Sequence, residues 1–216
     1  MATRVCIEVG SKKVFASALD WPGWARSGRT EEAALATLAE YAARYSPVVS
    51  LAGLKLPKTA TTFTVVERLK GNASTDFGIP AMTAQADRER LTASEAKRRA
   101  SLVTAAWAYF DQVAAASPAE LRKGPRGGGR DRDKIIDHVL GAEVAYAHKI
   151  GIKERQPAID DVAAIEALRE KIAAVLAAPS DGEPLRPNGW TARYAASRFA
   201  WHVLDHAWEM QDRAEP

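Results

Sequence analysis

Apolar and polar residues alternate along residues 4–18 on either side of the turn Gly10-Ser11-Lys12-Lys13, so residues 5–9 and 14–18 read as the two strands of a hairpin. A lone hairpin is marginal in water and needs a further strand or a covering helix. After the Pro22-Gly23 turn, Arg26 and Ser27 predict a short third strand. Thr30, Glu31 and Glu32 then open a helix, with a hydroxyl to cap it and acids at the positive end of its dipole. Ala34, Leu35, Leu38, Tyr41, Ala42 and Tyr45 recur at spacings of three and four, which predicts a helix laid across the sheet and ended by Pro47. Residues 61–68 are rich in β-branched side chains and predict one more strand. Gly71, Asn72, Gly78 and Pro80 signal irregular chain, and the boundary between two parts is expected between Gly71 and Ala86.

From Arg88 the period changes to that of helices. Leu102, Val103, Ala106, Tyr109, Phe110 and Val113 share one face of a long helix that stops before Pro118. A glycine-rich basic stretch, residues 123–130, leads to a second helix with Ile135, Val139, Ala142 and Tyr146 on one face. Asp131 or Asp133 is its candidate cap, and Gly151 its stop. A third follows Asp160 and Asp161, with Val162, Ile165, Leu168, Ile172 and Val175 or Leu176 inward, and ends at Pro179. A fourth is expected over about residues 190–213. Four amphipathic helices, each too short to stand alone in water, are satisfied by an antiparallel, up-down bundle.

Composition bounds these expectations. With 47% hydrophobic and 26% charged residues, the chain can bury a core. The formal charge of +3 is too small to argue for nucleic acid or an anionic membrane, and no apolar run approaches the length of a membrane span. Cys6 is the single cysteine, which excludes an internal disulfide. Arg4 and Glu8 interrupt the start of the chain before a secretory signal can form, so a cytoplasmic location is expected.

Candidate chemistry gathers on the histidines. His202 and His206 lie four residues apart, which puts both imidazoles on the helix face that also carries Ala195, Phe199 and Met210. Burying two unpartnered imidazoles is costly, and a shared metal removes that cost. His138, between Ile135 and Ala142 on the inward stripe of the second helix, is the third ligand expected from a neighbouring helix. Three neutral imidazoles leave a coordination position open for water or substrate. The alternative is a set of hydrogen-bonded core histidines. His148 is rotated off that face and is expected at the surface. Asp205, Glu209 and Glu143 are candidates to orient an imidazole or to act as a base, or else are solvated acids. The basic connection is expected to overhang the metal, with Arg126 or Arg130 meeting an anionic substrate, or else it is a solvated connector. Trp107, Trp201 and Trp208 fall in the periodic helices and read as packing residues.

A four-helix bundle with Asp137-His138-Val139-Leu140-Gly141-Ala142-Glu143 in its second helix and a His-x-x-x-His pair in its fourth resembles the DinB superfamily over residues 88–213. The resemblance implies that His138, His202 and His206 bind a divalent metal, zinc or nickel. It also implies a possible low-molecular-weight thiol cofactor, because some members activate mycothiol or bacillithiol for S-transfer or maleylpyruvate isomerisation. Such a metal lowers the pKa of the thiol and holds the thiolate as nucleophile.

Residues 14–33, with Pro22-Gly23, Gly28 and the helix start Thr30-Glu31-Glu32-Ala33, are similar to HicB antitoxins, although Trp24 stands where that family usually has a small residue. This likeness covers about the first fifty residues and implies a small α/β module that binds a protein or RNA partner. A short sheet with a free edge also pairs readily with a copy of itself, which makes the module a scaffold or dimerisation piece.

The expected fold is therefore α+β: a HicB-like α/β module, residues 1–80, followed by a DinB-type four-helix bundle, residues 88–213. The expected function is that of a metal-dependent enzyme acting on a small molecule, a thiol-dependent S-transferase or a hydrolase, in a homodimer that binds neither nucleic acid nor membrane. Two alternatives stand beside it: a noncatalytic regulator whose bundle is a scaffold or metal sensor, and a bundle that has lost its metal.

Overall fold

The computed structural model describes residues 2–124 and 128–214. Strands β1 (Thr3–Val9), β2 (Val14–Ala18), β3 (Ala25–Gly28) and β4 (Phe63–Lys70) form one sheet in the order β3-β2-β1-β4. The first three are antiparallel neighbours, whereas β4 runs parallel to β1. A parallel neighbour cannot be reached by a tight turn. The crossover is supplied by α1 (Glu31–Glu40) and α2 (Ala42–Leu51). Val5, Ile7, Val14 and Ala16 on one sheet face join Leu38, Tyr45, Val48 and Val49 of these helices in the main core.

Thr30 caps α1 as its sequence predicts, its hydroxyl accepting from the Ala33 amide at 3.2 Å. Pro47 does not end the helix. The break falls earlier, at Tyr41, and Pro47 sits inside α2. Proline deletes one backbone bond, but the Tyr45 amide still reaches the Tyr41 carbonyl and the Ala52 amide the Val48 carbonyl. Burial of Tyr45, Val48 and Val49 holds the remaining turns. Strand β4 starts and ends two residues later than expected. The segment read as irregular contains a one-turn helix, α3 (Ala73–Phe77), capped by the Asn72 side chain and closed by Gly78 at φ +111°. Asn and Gly at those two places are helix-end chemistry in so short an element that no period betrays it.

The second part is the antiparallel four-helix bundle, made of α4 (Ala93–Ala116), α5 (Arg132–Lys149), α6 (Val162–Leu176) and α7 (Ala192–Ala214). Thr92 and Glu95 form a reciprocal capping box on α4. Asp161 caps α6, accepting from the Ala164 amide at 3.0 Å. Asp131 occupies the cap position of α5, but its carboxylate turns back to the Leu121 amide and Lys123 instead of the helix. Val162, expected inward on α6, is 61% exposed because it is the first residue of the helix and has no turn before it to shelter it. The buried stripe is Leu168, Ile172 and Leu176.

Helix α7 is the axis of the molecule. Fifteen of its residues are buried, and its apolar side chains join those of the sheet, α2 and α4 in one continuous core cluster. Gly23, in the turn before β3, lies against Ala200 and Leu204 of α7 with φ +92°. The Arg26 guanidinium of β3 pairs with Asp205 of α7 at 2.8 Å. No helix among the described residues is long and apolar enough to cross a membrane.

Candidate metal centre

Helix α5 brings His138, in its second turn, opposite His202 and His206 on α7. One nitrogen from each of the three rings lies within 4.8 Å of the others. Ring centroids are 4.6 Å apart for His202 and His206, 4.9 Å for His138 and His206, and 5.2 Å for His138 and His202. A tetrahedral zinc ion with bonds of about 2.05 Å holds its ligand nitrogens about 3.3 Å apart, so small side-chain rotations would close this set on an ion.

Electrostatics favours the neutral form of two of the rings. Burial first, then the neighbouring His206 and His138, push the His202 pKa well below its ordinary value. Burial first, then His206 and Arg130, lower that of His138. Neutral imidazoles are the metal-binding form. Nδ1 of His202 is buried and has no hydrogen-bond partner, a polar atom that a metal ion would satisfy. Nδ1 of His206 is 2.7 Å from Glu209, whose carboxyl is held below the usual range chiefly by that bond. An ionised carboxylate can only accept, so His206 donates from Nδ1 and presents Nε2 to the cluster. A nitrogen donor set with one ring fixed by a carboxylate fits a divalent transition metal.

The other expected site residues divide. Glu209 is at the cluster. Asp205 is not: it faces β3 and is held by Arg26. Glu143 is not either. It lies five residues beyond His138, well around the helix, and is buried against Arg169 of α6, with contacts of 3.3 and 3.4 Å. Burial raises its pKa and Arg169 opposes that rise. Arg130 is exposed, and its positive charge contributes to lowering the pKa of His138, His202 and Glu209. Arg126 lies outside the described residues. His148 is exposed and apart.

Three residues at the site were not among the expected ones. Tyr146 packs edge-on against His202 at 5.5 Å, Trp201 lies 6.2 Å from the same ring, and Arg198 donates to the Tyr146 hydroxyl at 2.9 Å. A signal existed in the spacing, because Arg198, His202 and His206 follow one another at intervals of four on one helix face. Cys6 of β1 is buried, its thiol pushed up to about 12 by burial and by the charges of Glu67, Asp87 and Glu8, which disfavours the nucleophilic thiolate.

The arrangement defines a class: a mixed α/β module followed by a four-helix bundle that carries a three-histidine cluster able to bind a metal, which matches a DinB/HicB-like architecture. No protein-family model, curated protein or solved structure matches the chain.

Proposed function

We propose that the bundle holds one divalent ion, zinc or nickel, through His138, His202 and His206, and that the protein is a metal-dependent enzyme of the DinB type acting by S-transfer from a low-molecular-weight thiol or by hydrolysis. The observation that carries this reading is the convergence of three imidazoles from two helices with their nitrogens within 4.8 Å. When bound, such an ion supplies Lewis acidity, which lowers the pKa of a water or thiol ligand and polarises a substrate oxygen. The chain's own residues supply the rest. Glu209 fixes the tautomer of His206, and Tyr146 and Trp201 wall one side of His202. Half-buried His138 is the ligand through which a small molecule would reach the ion, and the positive charge of Arg130 favours an anionic one.

The test is a transfer assay with zinc- or nickel-loaded protein, a panel of small thiols and an electrophilic acceptor, beside the His202→Ala/His206→Ala variant. Turnover that disappears in the variant supports the reading. Equal rates in both proteins would overturn it.

A noncatalytic reading draws on the sheet. Strand β4 is an edge of the sheet, with Val66 47% exposed, a feature that suits a protein partner or a second copy. Sedimentation equilibrium distinguishes a homodimer from a monomer awaiting another partner.

A further inference from the structure

On the sheet face that carries Cys6, Glu8 and Ser17, Phe15 packs edge-on against Trp201 of α7 at 6.2 Å. Beside that contact lies a cavity of about 50 Å³, lined on the helix side by Tyr194, Arg198 and Trp201. A water molecule needs roughly 10–15 Å³ by this measure, so the space admits a few waters or one small oxyanion.

Tyr194 and Trp24 donate to the carbonyls of Ala81 and Leu38, but two other lining residues keep donors without acceptors. Arg198 is 7% exposed; its Nη2 reaches Tyr146, while Nε and Nη1 are buried without any partner. No carboxylate among the described residues pairs with it. Its guanidinium lies 4.8 Å from the Trp201 ring and 5.1 Å from the Tyr146 ring, and Nε1 of Trp201 is likewise buried and unpartnered. The acids bordering the cavity are engaged elsewhere. Glu8 accepts from the Thr75 hydroxyl and from the amides of Ala81 and Met82, and Asp87 accepts from the Ala84 amide. An unpaired buried guanidinium is among the costliest groups a fold can hold. Every unfilled position at Arg198 and Trp201 is a donor, which calls for an acceptor carrying negative charge.

We propose that Arg198, assisted by the Trp201 indole N–H, is an oxyanion site that takes a carboxylate or phosphate group of a small-molecule ligand in the cavity between the sheet and α7. Arg198 precedes His202 by four residues, about 6 Å along the helix axis, and both touch Tyr146. The site itself does not depend on a metal.

The experiment is therefore done on the full chain stripped of metal with a chelator. Acetate and inorganic phosphate are titrated separately at constant ionic strength, with tryptophan fluorescence and thermal midpoint as readouts. The expected result is a saturable response to at least one of them, weakened about tenfold or more in Arg198→Gln, as loss of charge-assisted hydrogen bonds implies. If Arg198→Gln does not fold, Trp201→Phe, followed by its thermal midpoint, is expected to bind the same anion severalfold more weakly. No saturable response in the unaltered protein, or equal affinity in the folded variant, would overturn the proposal. Because no metal is present, failure here is separate from failure of the metal reading.

Discussion

Glu209 accepts a hydrogen bond of 2.7 Å from Nδ1 of His206, one turn apart on α7, and Arg213 one turn further on pairs with the same carboxylate at 3.1 Å. The contact fixes which ring nitrogen faces His138 and His202. Glu209→Gln keeps the shape of the side chain but removes the charge that selects the tautomer. Its metal affinity is expected to fall about 10–100-fold with little change in stability. Competition against a chromophoric chelator measures it, and unchanged affinity would reduce Glu209 to a surface acid.

Glu143 and Arg169 form a buried pair remote from the histidines, with side-chain exposures of 1% and 11%. Arg169→Met strands the carboxylate in the core. The expected cost is about 3 kcal/mol in urea unfolding, with metal binding by the folded protein unchanged. A loss of metal without loss of stability would instead return Glu143 to the site.

Asp87 sets a pH dependence. Burial raises its carboxyl to about 6, against the opposing pull of the Ala84 amide, Arg99 and Arg193. A folded-state pKa above the unfolded value means the native protein binds the proton more tightly. The contribution to stability is therefore complete below about pH 4 and is lost as pH rises through 6. Asp87→Asn keeps the acceptor for Ala84 and removes the charge. It is expected to be more stable than the parent at pH 7.5 by on the order of 2–3 kcal/mol, the difference fading toward pH 4. Urea melts at several pH values test this, and parallel curves for the two proteins would contradict it.

Gly23 holds the turn before β3 at φ +92°, where an added Cβ would come within 2.8 Å of Leu204 and 2.9 Å of Ala200. Gly23→Ala is expected to cost on the order of 1–3 kcal/mol from backbone strain alone, with the contact to α7 adding to it. Thermal unfolding measures the loss, and a neutral substitution would mean that the module and α7 yield to one another.

Much of this molecule was legible in the sequence because its signals are periodic. The alternation in residues 5–9 and 14–18, the cap at Thr30 and the apolar stripes of the bundle each specify an element locally, and His202 and His206 share a face by spacing alone. What was not legible depends on tertiary packing. Pro47 continues a helix because buried neighbours outweigh one lost bond. Glu143 leaves the site because α6 presents Arg169 to it. Tyr146 and Arg198 read as ordinary inward and polar positions until α5 and α7 are laid side by side.

The most direct measurement is the metal content of the protein purified without an affinity tag or added metal, by elemental analysis, beside the His202→Ala/His206→Ala variant. The account predicts about one divalent ion per chain, lost in the variant while its far-UV dichroism is retained. A parent protein that carries no metal even after reconstitution with zinc or nickel, or a variant that keeps its metal, would contradict it.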